Sequence, residues 1–279
     1  MKIIKTTKDM QVASDRFRKE GKVIGFIPTM GWFHEGHLSL VRIARERADI
    51  VIVSIYVNPT QFGPDEDFDR YPRDFKGDEK LARKAGADLI FYPDDREIYP
   101  SGYMTWVTVD RITSVLCGDS RPGHFRGVTT ICSKLFNIVK PHFAVFGQKD
   151  AQQVVVIKKM VKDLNFDLDI VIGPIVRESD GIAMSSRNRH LSSEERKDAQ
   201  ALYQSLKIAK SMIQGGKNRG DKIKAEMQRF IKEKGHTRID YIGVVDPETL
   251  EPLTIIKDKA LIALAVFVGK TRLIDNIII

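Results

Sequence analysis

Cysteine is scarce: Cys117 and Cys132 are too few for a disulfide framework and lack the CxxC spacing of a redox or zinc pair. Both are expected as reduced thiols. Long apolar runs are scarce too, since the longest, ALIALAVFV (260–268), is about half the length a membrane helix needs. The opening MKIIKTTKDM holds no extended apolar core of a secretory signal. These features place the protein in the cytoplasm and away from membranes. Aromatic residues make up 8%, and the surplus of 45 basic over 37 acidic side chains, a formal +8, is spread along the chain. Up to residue 175 there are 26 basic against 23 acidic residues, and beyond it 19 against 14. No basic arm with stacking rings stands apart, so no nucleic-acid partner is implied.

With 42% hydrophobic residues over 279 positions, the chain can bury a substantial core. KVIGFI and ADIVIVSIYV read as buried strands, and HLSLVRIARERA between them has apolar residues at helical spacing. The alternation continues through an amphipathic stretch at 74–85, ADLIFYP, GVTTICSKLFNIV, FAVFG, a helix from Ala151 to Leu164, and DLDIVIG. Such an order predicts an α/β fold: a Rossmann-like parallel sheet flanked by helices, with ligands at the carboxyl ends of its strands. After residue 175 the pattern changes to two helical stretches (192–214 and 219–234) and three strand-like runs, RIDYIGVV, ALIALAVFV and TRLIDNIII. The expected organisation is a domain over 1–175 and a smaller α+β domain over 176–279.

PTMGWFHEGH (28–37) sits where the first of these strands gives way to a helix. Backbone amides and the helix dipole make such a turn an anion site, and glycines let a phosphate approach the main chain. His34 and His37 stand three apart; a helical zinc pair of the HExxH kind needs four and a third ligand. Taken alone, the two imidazoles either serve a phosphate or merely satisfy the turn. MSSRN (184–188) is likewise open between an anion clamp and a helix-capping turn. DEDFD (65–69) reads as a solvated loop, and Trp32, Tyr71 and Trp106 read as packing or gate residues.

The HxGH pattern resembles the signature of the class I nucleotidyltransferase superfamily. Four further segments, VNPTQFGPDEDFDRYPRD (57–74), CGDSRPGHFRGV (117–128), FGQKDAQQ (146–153) and AMSSRNRHLS (183–192), together resemble the pantothenate synthetase family, ATP-dependent pantoate–β-alanine ligases. The resemblance runs almost the full length of the chain in the family's order. Gln148 is a small variation where many members carry Glu.

The resemblance implies a two-step ligation: pantoate is adenylated by ATP, with Mg2+, and β-alanine then displaces AMP. It places His34 and His37 against the ATP phosphates and has Lys149 bridge them, while Ser185, Ser186 and Arg187 clamp the outer phosphates. Met30, Gly31, Gly36 and Gly147 would hold the nucleotide, Asp150 its ribose, and Val176 and Met184 would also line the nucleotide site. Gln61 and Gln153 would bind pantoate, helped by Asn58, whose alternative is to stabilise its own turn. Arg121, with His124 in the same loop, would serve the phosphates or a substrate carboxylate, and Asp78 would lie near the metal. A homodimer formed through the first domain, and a second domain acting as a lid, complete the expectation. The rival within enzymes is an adenylyltransferase that stops at nucleotidyl transfer, which offers no reason for Gln61 and Gln153.

Overall fold

The computed structural model describes residues 1–64 and 66–279; Asp65, the start of the acidic run DEDFD, lies outside the described residues. Two compact units form. One comprises Met1–Asp110, Arg121–Gly147 and Val156–Pro174, and the other Arg111–Ser120, Gln148–Val155 and Ile175–Ile279.

The first unit opens with β1 (Lys2–Ile4) and α1 (Thr7–Lys19), neither evident from periodicity, followed by β2 (Ile24–Thr29), α2 (Glu35–Arg45) and β3 (Ile50–Ile55). A 3₁₀ turn at Pro59–Gln61 leads to α3 (Phe75–Ala85), β4 (Leu89–Phe91) and the short α4 (Asp95–Ile98). Local chemistry fixes the helix ends: Asp74 caps α3 by accepting from Gly77 N–H at 3.0 Å, and Gly86 ends it at φ +102°. After the short α5 (Cys117–Ser120), a segment of the second unit, come α6 (His124–Val139), β5 (Phe143–Gly147), α7 (Ala151–Asp163), whose start up to Val155 belongs to the second unit, and β6 (Asp169–Gly173).

All six strands pair in parallel, in the order β1-β4-β3-β2-β5-β6. The strands are near-continuous Ile, Val and Phe because a parallel sheet is covered on both faces; Ile24, Phe26, Ile27, Val51, Ile52, Val53, Ile90 and Phe91 are all buried. The chain leaves β2 for β3 on one side and returns to β5 on the other. The carboxyl end of β2 is therefore the topological switch point, where open α/β sheets bind ligands. α2 packs closely over the carboxyl end of β6 in the same sheet: a Cβ on Gly173 would collide with the Leu40 side chain.

The second unit contains α8 (Ser193–Gln214), α9 (Gly220–Lys232) and an antiparallel sheet of β7 (Thr237–Val245), β8 (Leu261–Val268) and β9 (Thr271–Ile278), in that order. Ser192 and Glu195 form a reciprocal capping box on α8, at 3.2 and 2.8 Å. Leu202, Leu206, Ile223, Met227, Ile262, Leu264 and Val266 form its core. The expected α/β class with a smaller α+β element is thus observed. Within β9 the burial differs from a hydropathy ranking: Asp275 and Asn276 are each 3% exposed, whereas Ile278 is 47% exposed. Among the described residues no helix is long and apolar enough to cross a membrane.

Candidate active site

The turn after β2 is built by a carboxylate. Gly31 and Trp32 take positive φ of 83° and 54°, which turns consecutive amides in one direction, and Asp78 from α3 collects them. Its carboxylate accepts from Trp32 N–H at 2.8 Å and Phe33 N–H at 2.6 Å. A Cβ at Gly31 would stand 2.8 Å from Asp78 Oδ2 and 3.1 Å from Ile55 Cγ2, so glycine is demanded by both conformation and space. Thr29 Oγ1 closes the turn, donating to Ser54 O at 2.7 Å and accepting from Gly31 N–H at 3.2 Å. Burial pushes the Asp78 carboxyl above the ordinary carboxylate range, and the two amides oppose that shift.

Asp78 is 3% exposed, and each of its oxygens accepts a hydrogen bond from the turn. Asp78, the carboxylate expected near the metal, shapes the histidine turn.

His34 is extended (φ −133°, ψ 175°) and immediately precedes α2, while His37 lies in its first turn. The rings lie 4.1 Å apart between centroids, inclined at 37°. His37 Nδ1 accepts from His34 N–H at 3.4 Å, so a neutral His37 carries its proton on Nε2 and presents a donor. Donor and helix N-terminus share the switch point, a combination suited to an anion. Gly36 lies between the two histidines, and its carbonyl accepts from Ser39 Oγ at 2.8 Å. Gly147, the end of β5, would bring a Cβ within 3.9 Å of Leu40 on the same helix.

Gln61 belongs to a neighbouring network of the same unit. Its Nε2 lies 3.3 Å from Met30 Sδ, and its Oε1 accepts from Asn58 Nδ2 at 3.0 Å. Asn58, 1% exposed, also donates to Gly127 O at 3.2 Å and accepts from Thr60 Oγ1 and Tyr99 OH, each at 2.9 Å. Burial pushes the Tyr99 phenol up to about 12. Asn58 thereby orients the Gln61 amide. Gly127 lets α6 press onto that turn, since a Cβ would meet Gln61 N at 2.6 Å.

Arg121 forms a two-pronged pair with Glu66 at 2.5 Å on each prong, and approaches His124 Nε2 at 3.1 Å. His124 Nδ1 lies 2.8 Å from Gln61 O. The guanidinium outweighs burial and holds the Glu66 carboxyl below its ordinary range. Tyr71 is buried against Phe62 as a packing residue; Trp106 is 42% exposed beneath the Arg126 guanidinium.

The remaining candidates lie in the second unit. Lys149 and Asp150 share a 3₁₀ turn, Gln148–Asp150, with Lys149 Nζ 3.8 Å from Asp150 Oδ2. Gln153 is half-buried on α7. Its neighbour Gln152, which sequence reasoning passed over, is the buried one, donating to Ile112 O and Val115 O and accepting from Cys117 N–H. Val176 and Met184 face each other, Met184 N–H donating to Val176 O at 3.0 Å. Ser185 Oγ accepts from Arg187 N–H at 3.3 Å, which is capping geometry; Ser186 and Arg187 begin the turn it caps. Asn188 anchors that turn through Glu178 Oε1 at 2.6 Å and Ala183 O at 3.1 Å.

A parallel sheet whose switch point opens onto a glycine turn, a helix N-terminus and paired imidazoles defines a nucleotide-binding α/β protein of the HxGH type. Comparison with known proteins is more specific. The family model for pantoate–β-alanine ligase matches residues 2–278, and the chain belongs to that family. It is 56% identical to the pantothenate synthetase of Caldicellulosiruptor bescii over 279 residues, covering 100% of this chain and 99% of the relative. It is 55% identical to that of Thermotoga petrophila, covering both in full. The crystal structure of pantothenate synthetase from Thermus thermophilus superposes with a TM-score of 0.94 at 41% identity, over 99% of each chain. The pantoate–β-alanine ligase of Francisella tularensis, crystallised with β-γ ATP and β-alanine, superposes with a TM-score of 0.81 at 33% identity, over 99% of this chain and 97% of the other.

Proposed function

We propose that this chain condenses (R)-pantoate with β-alanine, using ATP and passing through a pantoyl adenylate. The observation that carries the reading is the His34/His37 turn, held by Asp78 at the switch point of a sheet belonging to this family. The Francisella structure, solved with an ATP compound and β-alanine, supports both ligand classes.

A carboxylate resists attack by an amine because it is already negative and would have to expel oxide. In the first step a pantoate carboxylate oxygen attacks the α-phosphorus of ATP, forming an acyl–phosphate bond as the bond to pyrophosphate breaks. The nucleophile is already ionised, so the need is for positive charge and donors where negative charge grows. His37 Nε2–H and the N-terminus of α2 meet that need at the departing pyrophosphate, with His34 beside them. Lys149, Ser185, Ser186 and Arg187 are assigned to the same phosphates; the planar Arg187 fork offers two parallel donors. Met30, Gly31, Gly36 and Gly147 hold the nucleotide through the main chain, Asp150 accepts from ribose hydroxyls, Val176 contacts the base, and Met184 lines the nucleotide site.

Gln61, oriented by Asn58, and Gln153 bind pantoate, since an amide donates to a carboxylate and accepts from a hydroxyl. Arg121, paired with Glu66, serves a substrate carboxylate when that pair opens. In the second step the neutral amine of β-alanine attacks the acyl carbon, AMP leaves, and the amine sheds its proton. Mg2+ bound to the ATP phosphates would offset their charge, with the Asp78 carboxylate nearby. A biosynthetic enzyme of this family fits a cytoplasmic location, which we propose. We also propose a homodimer formed through the first unit, as the family resemblance implies; a single-chain mass by light scattering would refute it.

Labelled pyrophosphate should exchange into ATP when pantoate is present and β-alanine is absent. Exchange that waits for β-alanine would refute the two-step scheme, and exchange without pantoate would favour plain nucleotidyl transfer.

A further inference from the structure

Two buried polar residues on the last strand have no part in the chemistry above. A buried polar side chain is costly unless it is hydrogen-bonded, so its partners indicate what it is for. Asn276 Nδ2 donates to Gln148 O and to Lys149 O, both at 2.9 Å, and its Oδ1 accepts from Gln148 Nε2 at 2.9 Å. One side chain thereby grips two consecutive peptide units, those flanking the Lys149 side chain. Asp275 binds Arg177 through both oxygens, at 2.6 and 3.0 Å, and accepts from Asn276 N–H at 2.8 Å. Arg177 lies 3.7 Å from the Tyr203 ring centroid and bridges to Ala183, immediately before Met184–Arg187.

Successive residues of a strand point to opposite faces. Asp275 therefore reaches the face packed by α8, where Tyr203 stands, and Asn276 the face on which Ala151 packs against Leu261 and Ala263. β9 is itself held to β8 in unbroken register from Leu261↔Ile278 to Val268↔Thr271. Two adjacent residues of one rigid strand hold two segments that are far apart in sequence, and each segment carries side chains assigned to phosphate.

We propose that Asn276 is a positioning residue for Lys149 in the adenylation step, with Asp275 holding the Ser185–Arg187 segment through Arg177. The proposal rests on the phosphate role given to Lys149 above. A lysine ends in a point charge on four flexible carbons, so the placement of its main chain sets where that charge can dwell. Asn276 fixes this placement from behind, without touching a substrate.

The test is a double-mutant cycle on pantoate-dependent pyrophosphate exchange with the full-length enzyme. Asn276→Ala should lower the maximal exchange rate about tenfold or more, as a misplacement near 1 Å can, while the ATP and pantoate KM values stay within about twofold. In a Lys149→Ala background the same substitution should change the rate by less than about twofold, because the group it positions is gone. Asn276→Ser, which keeps one donor, should fall between Asn and Ala. Independent, multiplying effects of Asn276→Ala and Lys149→Ala would overturn the proposal, as would a near-normal rate in Asn276→Ala or loss of the folded protein in both position-276 variants. If Lys149→Ala alone exchanges at the parent rate, the phosphate role of Lys149 fails, and the proposal fails for that separate reason.

Discussion

Replacing Gly127 with alanine sets two opposing rules against each other. Gly127 lies inside α6, where exchanging glycine for alanine ordinarily gains about 0.5–1 kcal/mol from reduced backbone entropy and better helix propensity. Here the new methyl would fall 2.6 Å from Gln61 N and closer still to the Thr60 carbonyl. Both are main-chain atoms that cannot swing aside, and restoring an ordinary contact of about 3.5 Å requires a separation of roughly 1 Å. Overpacking of this kind costs about 1–3 kcal/mol, which exceeds the helix gain, so the net effect is destabilising. The movement falls on the turn that carries Gln61 and on the Asn58–Gly127 hydrogen bond, at 3.2 Å, that sets the amide's direction. Gly127→Ala should therefore melt about 2 °C or more below the parent. Its pantoate requirement in pyrophosphate exchange should rise about tenfold or more, with that for ATP nearly unchanged. A variant more stable than the parent, with an unaltered pantoate requirement, would refute the close-approach argument and the pantoate role of Gln61 together.

Two other substitutions probe the first unit. Asp78→Ala removes the acceptor for the Trp32 and Phe33 amides, so exchange should fall about tenfold or more as the histidine turn relaxes; an unchanged rate would refute the bracing role, and a rise in the Mg2+ concentration for half-maximal activity would support the carboxylate's place near the metal. Glu66, held below its ordinary range by Arg121, releases its proton more readily folded than unfolded, so its pairing stabilises at neutral pH and is lost as acid takes the pH down through the lowered value. Glu66→Gln should flatten the fall in stability below about pH 5, and an unchanged acid limb would count against the pairing.

Legibility followed the period of the signal. The β2–α2 turn can be read because an apolar strand, a glycine and a helical repeat follow one another within a few residues, and Gly31 has the positive φ such a turn requires. β1 has three residues and no period to detect, and α1 escapes a periodicity reading although Met10, Ser14 and Phe17 line one buried face. The nature of a buried carboxylate's partner is invisible in sequence: Asp78 looks the same whether it meets a cation or two amides. Asn58 poses the same difficulty, because its hydrogen bonds reach Gly127 and Tyr99, far along the chain. In TRLIDNIII, a hydropathy reading turns the isoleucines inward and the Asp-Asn pair outward. The fold reverses this for Ile278, Asp275 and Asn276, because hydrogen bonding to distant segments outweighs apolar rank there.

The second unit is stitched from Arg111–Ser120, Gln148–Val155 and Ile175–Ile279, and this restricts how the protein can be cut or recombined. A fragment starting at residue 176 would keep every strand of the antiparallel sheet, yet Asn276 would lose both carbonyls it grips, and Leu261 and Ala263 the Ala151 methyl beside them. Swapping C-terminal halves between two relatives at that point would pair one parent's last strand with the other's lysine turn. A chimera that respects the packing must carry residues 111–120 and 148–155 along with the C-terminal portion, three segments in place of one. For this chain, the unit of inheritance in a grafting experiment is the set of segments β9 and its neighbours hold, not a contiguous stretch of gene.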